Sequence, residues 1–186
     1  MPVPTIPQAL TLFLVGGVFL HFMVAGGKML QVPNPDLEPG AWVAQILFVF
    51  GGTVATWFVG LHHPISLANG VVAVILATGS VALYEWSRHT ITRRQFGIAW
   101  GYQVPDTVCD EGPYRFVRHP IYLSYMLAHL AAVAAVPHWL TASICTVAAA
   151  LFAHAAFDDE RKLADSALAA DYAAYRGRTG MFLPKL

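Results

Sequence analysis

Apolar residues run through this chain in long, nearly unbroken stretches rather than in alternation with polar ones. Five such stretches, at about residues 8–28, 41–61, 65–87, 120–136 and 138–157, approach the roughly 20 residues a helix needs to cross a hydrocarbon core. In lipid the backbone must satisfy its own N–H and C=O groups, which leaves helices and closed barrels. Runs of this length without a period of two predict helices. The fourth stretch is short. It either stops below the far interface or pairs with the fifth as a helical hairpin, because "VPHW" between them is a turn signal with Pro137 as breaker.

Two polar stretches remain, 88–119 and 158–186. The second reads as an amphipathic helix: Leu163, Ala167, Ala170 and Ala174 recur at helical spacing, and Gly177 and Gly180 are stop signals. No internal repeat or low-complexity linker divides the chain. It reads as one domain over 1–186, with three spans in 1–87 and the chemistry in 88–186. The expected fold is an all-α integral membrane protein with about five transmembrane helices plus a cytoplasmic C-terminal amphipathic helix.

Composition strengthens this picture: 56% of residues are hydrophobic and 12% charged, against about 25% charged in a soluble domain, and mean hydropathy is +0.54. Net charge is zero and no Lys/Arg run occurs, which excludes a nucleic-acid partner. The cations that exist are unevenly placed. Lys28 follows the first span, Arg88, Arg93, Arg94, Arg115 and Arg118 lie between the third and fourth, and Arg161, Lys162, Arg176, Arg178 and Lys185 follow the fifth. The positive-inside rule puts all three regions in the cytoplasm, so five spans place the N-terminus outside and the C-terminus in the cytoplasm. The compact size suits a prokaryotic inner membrane. "MPVPTIPQALTLFLVGG" lacks the basic n-region of a secretory signal and its apolar stretch passes residue 20, so it reads as a retained span. Cys109 and Cys145 sit in unlike contexts, and no disulfide framework is expected.

Candidate chemistry concentrates at the mouth of the fourth stretch. "RFVRHPIY" begins a helix there, since Pro120 suits a first turn and the free N–H groups of a helix start can receive a carboxylate or phosphate. Arg115 and Arg118 are alternatively plain positive-inside anchors. Asp158, Asp159 and Glu160 form three adjacent acids that repel unless a cation answers them. Arg161 and Lys162 could do so in a solvated cluster, or a cationic ligand could. His21, Glu85, His129 and His154 are ionisable groups in or at the edge of the spans, where burial is costly and function a standing hypothesis. Neutral histidines also satisfy themselves between helices. The His62-His63-Pro64 run reads as an interfacial turn rather than a metal site, and the glycine pairs at 16–17, 26–27 and 51–52 as places of close helix approach.

Several of these residues also fall into one ordered pattern. Gly112, Pro113, Tyr114, Arg118, His119, Pro120 and Tyr122 are followed by an apolar hairpin, then Asp159, Glu160 and Leu163, then Asp171, Tyr172 and Tyr175, and a closing Leu183-Pro184. Over roughly residues 84–186 this resembles the isoprenylcysteine carboxyl methyltransferase (ICMT) family. Phospholipid N-methyltransferases and methanethiol S-methyltransferases share parts of it. The resemblance implies an integral-membrane methyltransferase that binds S-adenosyl-L-methionine in a cytoplasm-facing pocket. Carried over residue by residue, it implies cofactor contacts from Thr107, Val108, Cys109, Tyr114, His119, Pro120, Tyr122 and Asp159, with Glu160 able to share or take over the acid's role. Arg118 and the helix start suit the cofactor's carboxylate, the acids its ammonium, and Tyr114 or Tyr122 its adenine.

One departure bears on the acceptor. Members that methylate a carboxylate typically carry an Arg four residues before the first paired acid, where this chain has Ala155 beside His154. A lipophilic acceptor entering from the bilayer is expected, an isoprenylcysteine-like carboxyl or thiol ahead of an amine. His154, His129 or Glu85 would deprotonate or orient it. The contrasting reading is a small transporter or a non-catalytic membrane partner subunit. Against it stand the absence of paired repeats and the tight Tyr-Arg-His-Pro-Tyr cluster.

Overall fold

The computed structural model describes residues 5–29, 39–91 and 105–185, with side chains described in all of these except 26–29 and 39–50. Arg93, Arg94, the glycines at 26–27 and the side chain of Lys28 therefore lie outside the described residues. Six helices follow in order: α1 (Ile6–Met29), α2 (Pro39–His62), α3 (Leu67–Thr90), α4 (Pro120–Ala135), α5 (Trp139–Ala164) and α6 (Ala169–Arg178). A single 3-10 turn, Gly112–Arg115, precedes α4. Among the described residues there is no strand, only an isolated parallel bridge between Val117 and Gly180. Three described segments, Ile6–Ala25, Leu67–Thr90 and Trp139–Ala164, are long and apolar enough to cross a membrane, and Pro120–Ala135 is a shorter apolar helix.

Each apolar stretch of the sequence thus becomes a helix. The hairpin turn forms where expected: α4 ends at Ala135, and His138 caps α5, accepting from Leu140 N–H at 3.2 Å. The bundle packs through Leu12, Val15, Phe19 and Phe22 of α1 against Ala73, Ala77 and Tyr84 of α3 and Ala128, Ala131 and Ala135 of α4. Small residues on α3 and α4 let the backbones approach, as dispersion requires where lipid supplies no hydrophobic drive. Ser80 Oγ crosses that interface to donate to Ser124 O at 2.6 Å. Between α1 and α2, buried Gln8 donates to Gly60 O at 2.6 Å and His63 O at 3.1 Å. One glycine of each described pair marks a close approach: a Cβ on Gly16 would meet Trp57 and one on Gly52 would meet Phe19, whereas Gly17 and Gly51 have nothing within 4 Å. Ile6, Phe13, Val71, Ile75 and Trp139 face outward.

The C-terminal region differs from the sequence expectation. α5 does not stop where the apolar run stops at 157 but continues through the three acids to Ala164. The amphipathic helix expected across 163–174 is consequently split. Leu163 belongs to α5, Ala167 lies in the connecting turn, and Ala170 and Ala174 are exposed. The buried face of α6 is instead Tyr172 and Tyr175. The break has a local cause, since Ser166 Oγ donates to Leu163 O at 2.8 Å and accepts from Leu168 N–H at 3.1 Å. A short side chain has taken over bonds that a continuing helix would make.

Among the described residues Gly112 is the one glycine with a positive φ, +51°, and a Cβ there would lie 2.4 Å from Thr90 Oγ1. Both features pin the 3-10 turn against the end of α3. Gly112→Ala is expected to lower the unfolding midpoint in detergent by the equivalent of about 1–3 kcal/mol. Gly177→Ala, at an open helical position, should leave it unchanged or raise it slightly.

Candidate active site

The charged end of the bundle is assembled from the start of α4, the last turns of α5, and α6 with the tail behind it. Pro120 opens α4 with His119 as N-cap, and no side chain caps the helix start. Three consecutive acids on α5 meet three different surroundings, because successive residues on a helix point about 100° apart. Asp158 faces outward and pairs with Arg161 at 3.3 Å and Lys162 at 3.2 Å. Glu160 faces inward, its side chain only 5% exposed, and meets Arg118 Nε at 2.7 Å, His119 Nε2 at 3.3 Å and Arg176 Nε at 3.6 Å. Asp159 lies between these directions and accepts one hydrogen bond, from the Tyr122 hydroxyl at 2.7 Å. Among the described residues no cation approaches it within 4 Å.

This contrast separates two roles that the sequence could not. Burying a carboxylate costs several kcal/mol unless a cation and hydrogen bonds answer it. Glu160 is so answered, and Arg118 is equally committed: its Nη1 donates to Thr179 O, and its side chain is 7% exposed. Asp159 has a phenol, and His119 and Lys162 act on it only from beyond ion-pair distance.

Flat rings stand beside Asp159. His119 stacks on Tyr122 at 5.5 Å with planes 7° apart, and Tyr122 on Phe152 at 5.9 Å. Phe182 contacts His119 at 6.0 Å. Met126, Met181 and Phe182 pack against the cluster formed by Tyr122, Phe152, Ala155 and Ala156. Ala155 is fully enclosed there.

α6 and the tail hold this arrangement from outside. Arg118 N–H donates to Gly180 O at 2.8 Å and His119 N–H to Met181 O at 3.2 Å, so residues 179–182 run beside 117–119 like a short strand. Gly180 permits it, since a Cβ would fall 1.6 Å from Leu183 O. Tyr175 donates to Tyr114 O at 2.7 Å. Burial pushes the Tyr114 and Tyr175 phenols and the nearby Cys109 thiol up from their ordinary pKa values. Tyr172, beside Glu160, is raised by burial and then by that carboxylate's charge.

The structure therefore brings together Arg118, His119, Pro120, Tyr122, Asp159 and Glu160. Tyr114 and Cys109 are buried next to them beneath Tyr175, while Thr107 is exposed and Val108 half-buried on the approach. The three proposed acid–base groups are not brought into this cluster. His154 is exposed on the outer side of α5, opposite Ala155 and Ala156. Glu85 is engaged at the α1–α3 contact by His21 at 2.8 Å and Arg88 at 2.5 Å. His129 donates from Nδ1 to Tyr125 O at 2.9 Å, and lies two turns, about 10 Å, along α4 from Tyr122. It borders a separate small cavity with Gly52, Thr56, Ala132, Thr141 and Ile144. Conversely, Arg176, Thr179, Met181 and Phe182 belong to the site although sequence reading passed over them. The tyrosine pair at 172 and 175 was their only signal.

The two inward acids should respond oppositely to neutralisation. Glu160→Gln strands Arg118 without its counter-charge and is expected to cost about 3–5 kcal/mol, read as a large drop in the unfolding midpoint in detergent. Asp159→Asn keeps an acceptor for Tyr122 and should leave that midpoint unchanged or raise it.

Residues 94–165 match the model of the Isoprenylcysteine carboxyl methyltransferase (ICMT) family. No curated protein and no solved structure matches the chain. The matched segment contains the His119-Pro120 turn, Tyr122 and both inward acids, and apolar helices of membrane-spanning length surround it. On this pattern residues 94–165, set among apolar helices of membrane-spanning length, are similar to a family of membrane methyltransferases.

Proposed function

We propose that the protein is an S-adenosyl-L-methionine-dependent methyltransferase acting on a small lipophilic acceptor. The observation that carries this reading is Asp159, a carboxylate set among aromatic rings that accepts a phenolic hydrogen bond and, among the described residues, has no ion pair within 4 Å. Such a group calls for a positively charged ligand. The cofactor's amino-acid part offers an ammonium for Asp159, and its adenine suits the rings of His119, Tyr122 and Phe182. When bound, the cofactor supplies an electrophilic methyl group on a sulfonium.

The chain's own residues then orient and desolvate. The wall formed by Tyr122, Phe152, Met126, Met181 and Phe182 excludes water, and an in-line displacement between opposite charges gains from that exclusion. The apolar faces of α4 and α5 beside this wall suit an acceptor arriving from the bilayer. His154 and Glu85 stand away from the wall and His129 reaches it only edge-on through Phe152, at 6.3 Å, which favours an acceptor that arrives ionised, a carboxylate or thiol, over an amine. In this reading the chain crosses the membrane five times with its N-terminus outside, so the acids and the tail face the cytoplasm, where a soluble cofactor is available.

Ligand-induced stabilisation of the detergent-solubilised protein tests the proposal. S-adenosylhomocysteine at a hundredfold its Kd should stabilise the fold by about 2.7 kcal/mol, adenosine should do far less, and Asp159→Asn should remove most of the difference. No response of the wild-type protein to S-adenosylhomocysteine would refute the cofactor assignment. Incubating membranes with methyl-labelled cofactor and identifying the labelled product would then name the acceptor.

A further inference from the structure

Glu160 draws two arginines and a histidine, and they are held very differently. Arg118 is locked at 2.7 Å with a second bond to Thr179 O, and His119 is nearly as buried. Arg176 reaches the other oxygen only at 3.6 Å, from the rim, with 60% of its side chain exposed. Among the described residues its guanidinium makes no other hydrogen bond or ion pair, and its backbone is fixed because Lys185 Nζ donates to Arg176 O at 2.8 Å. Since Arg118 already answers Glu160 at 2.7 Å, the charge of Arg176 is in surplus at that carboxylate. It is a fork of N–H donors, anchored at its root and loosely held at its tip, on the carboxylate that follows Asp159 in α5.

We infer that Arg176 binds the carboxylate of the ligand's amino-acid part, an inference that rests on the methyltransferase reading above. A zwitterionic amino acid needs an anion and a cation a few ångströms apart, each with spare capacity. Asp159 supplies the first, and Arg176 supplies the second. Arg118, the residue that sequence alone recommends for the carboxylate, would have to abandon a buried counter-ion to serve. A planar guanidinium grips a carboxylate with two parallel hydrogen bonds, whereas its present contact is a single distant ion pair. Arg176 also lies beyond residues 94–165, so the matched segment would need α6 to complete its ligand site.

The test compares two probes on the full-length protein by titration calorimetry: S-adenosylhomocysteine, and its decarboxylated analogue S-adenosyl-3-thiopropylamine, which keeps the ammonium and the nucleoside. Arg176→Ala is expected to weaken the first by roughly ten- to a hundredfold and leave the second unchanged, with Arg176→Lys recovering part of the loss. Equal weakening of both probes would show that Arg176 acts only through Glu160, and no weakening of either would remove it from the site. Both outcomes overturn the assignment while leaving the cofactor reading intact. A wild-type protein that binds neither probe would overturn the two together.

Discussion

The buried carboxylate of Glu160 is the constraint on which the charged end of this molecule depends. It meets Arg118 and His119 from the start of α4 and Arg176 from α6, while it is itself carried by α5. Apolar helices in lipid slide and rotate at little cost, because one hydrocarbon contact resembles another. A buried ion pair tolerates no such slippage, since any shift that separates the charges leaves one of them uncompensated. Glu160 thus sets the rotation of α5 about its axis and, through adjacency on the helix, the direction in which Asp159 points.

That rotation has a chemical consequence. With Glu160 turned to Arg118 and Asp158 turned to Arg161 and Lys162, Asp159 is left facing Tyr122 and the ring stack. One acid is paired within the fold, one at the solvent-side surface, and one is held by a phenolic hydrogen bond. The tail reinforces the division. Main-chain bonds from Arg118 and His119 to residues 180 and 181 hold the approach to α4 straight, and Phe182 completes the aromatic wall.

The opposite part of the bundle follows simpler rules. α1, α3 and α4 meet through alanines, a serine and a few aromatic rings, and Glu85 ties α1 to α3 through His21. These contacts hold the helices on which the site is mounted. At Glu85 the partners His21 and Arg88 join α1 to the end of α3.

Read alone, the sequence determined the helices of the membrane part and nearly their limits, because a backbone in lipid must satisfy itself and an apolar run of the right length has one way to do so. It also showed where chemistry gathers, since a His-Pro turn and three adjacent acids are costly anywhere else. It did not determine which acid is paired, that Arg118 is already committed, that the tail returns to lie beside residues 117–119, or that the final helix breaks at Ser166 and buries tyrosines rather than alanines. Those depend on which residues of distant segments come within about 4 Å of one another. Only the tertiary structure decides that, because the energy of a charge is set by its neighbours and not by its place in the chain.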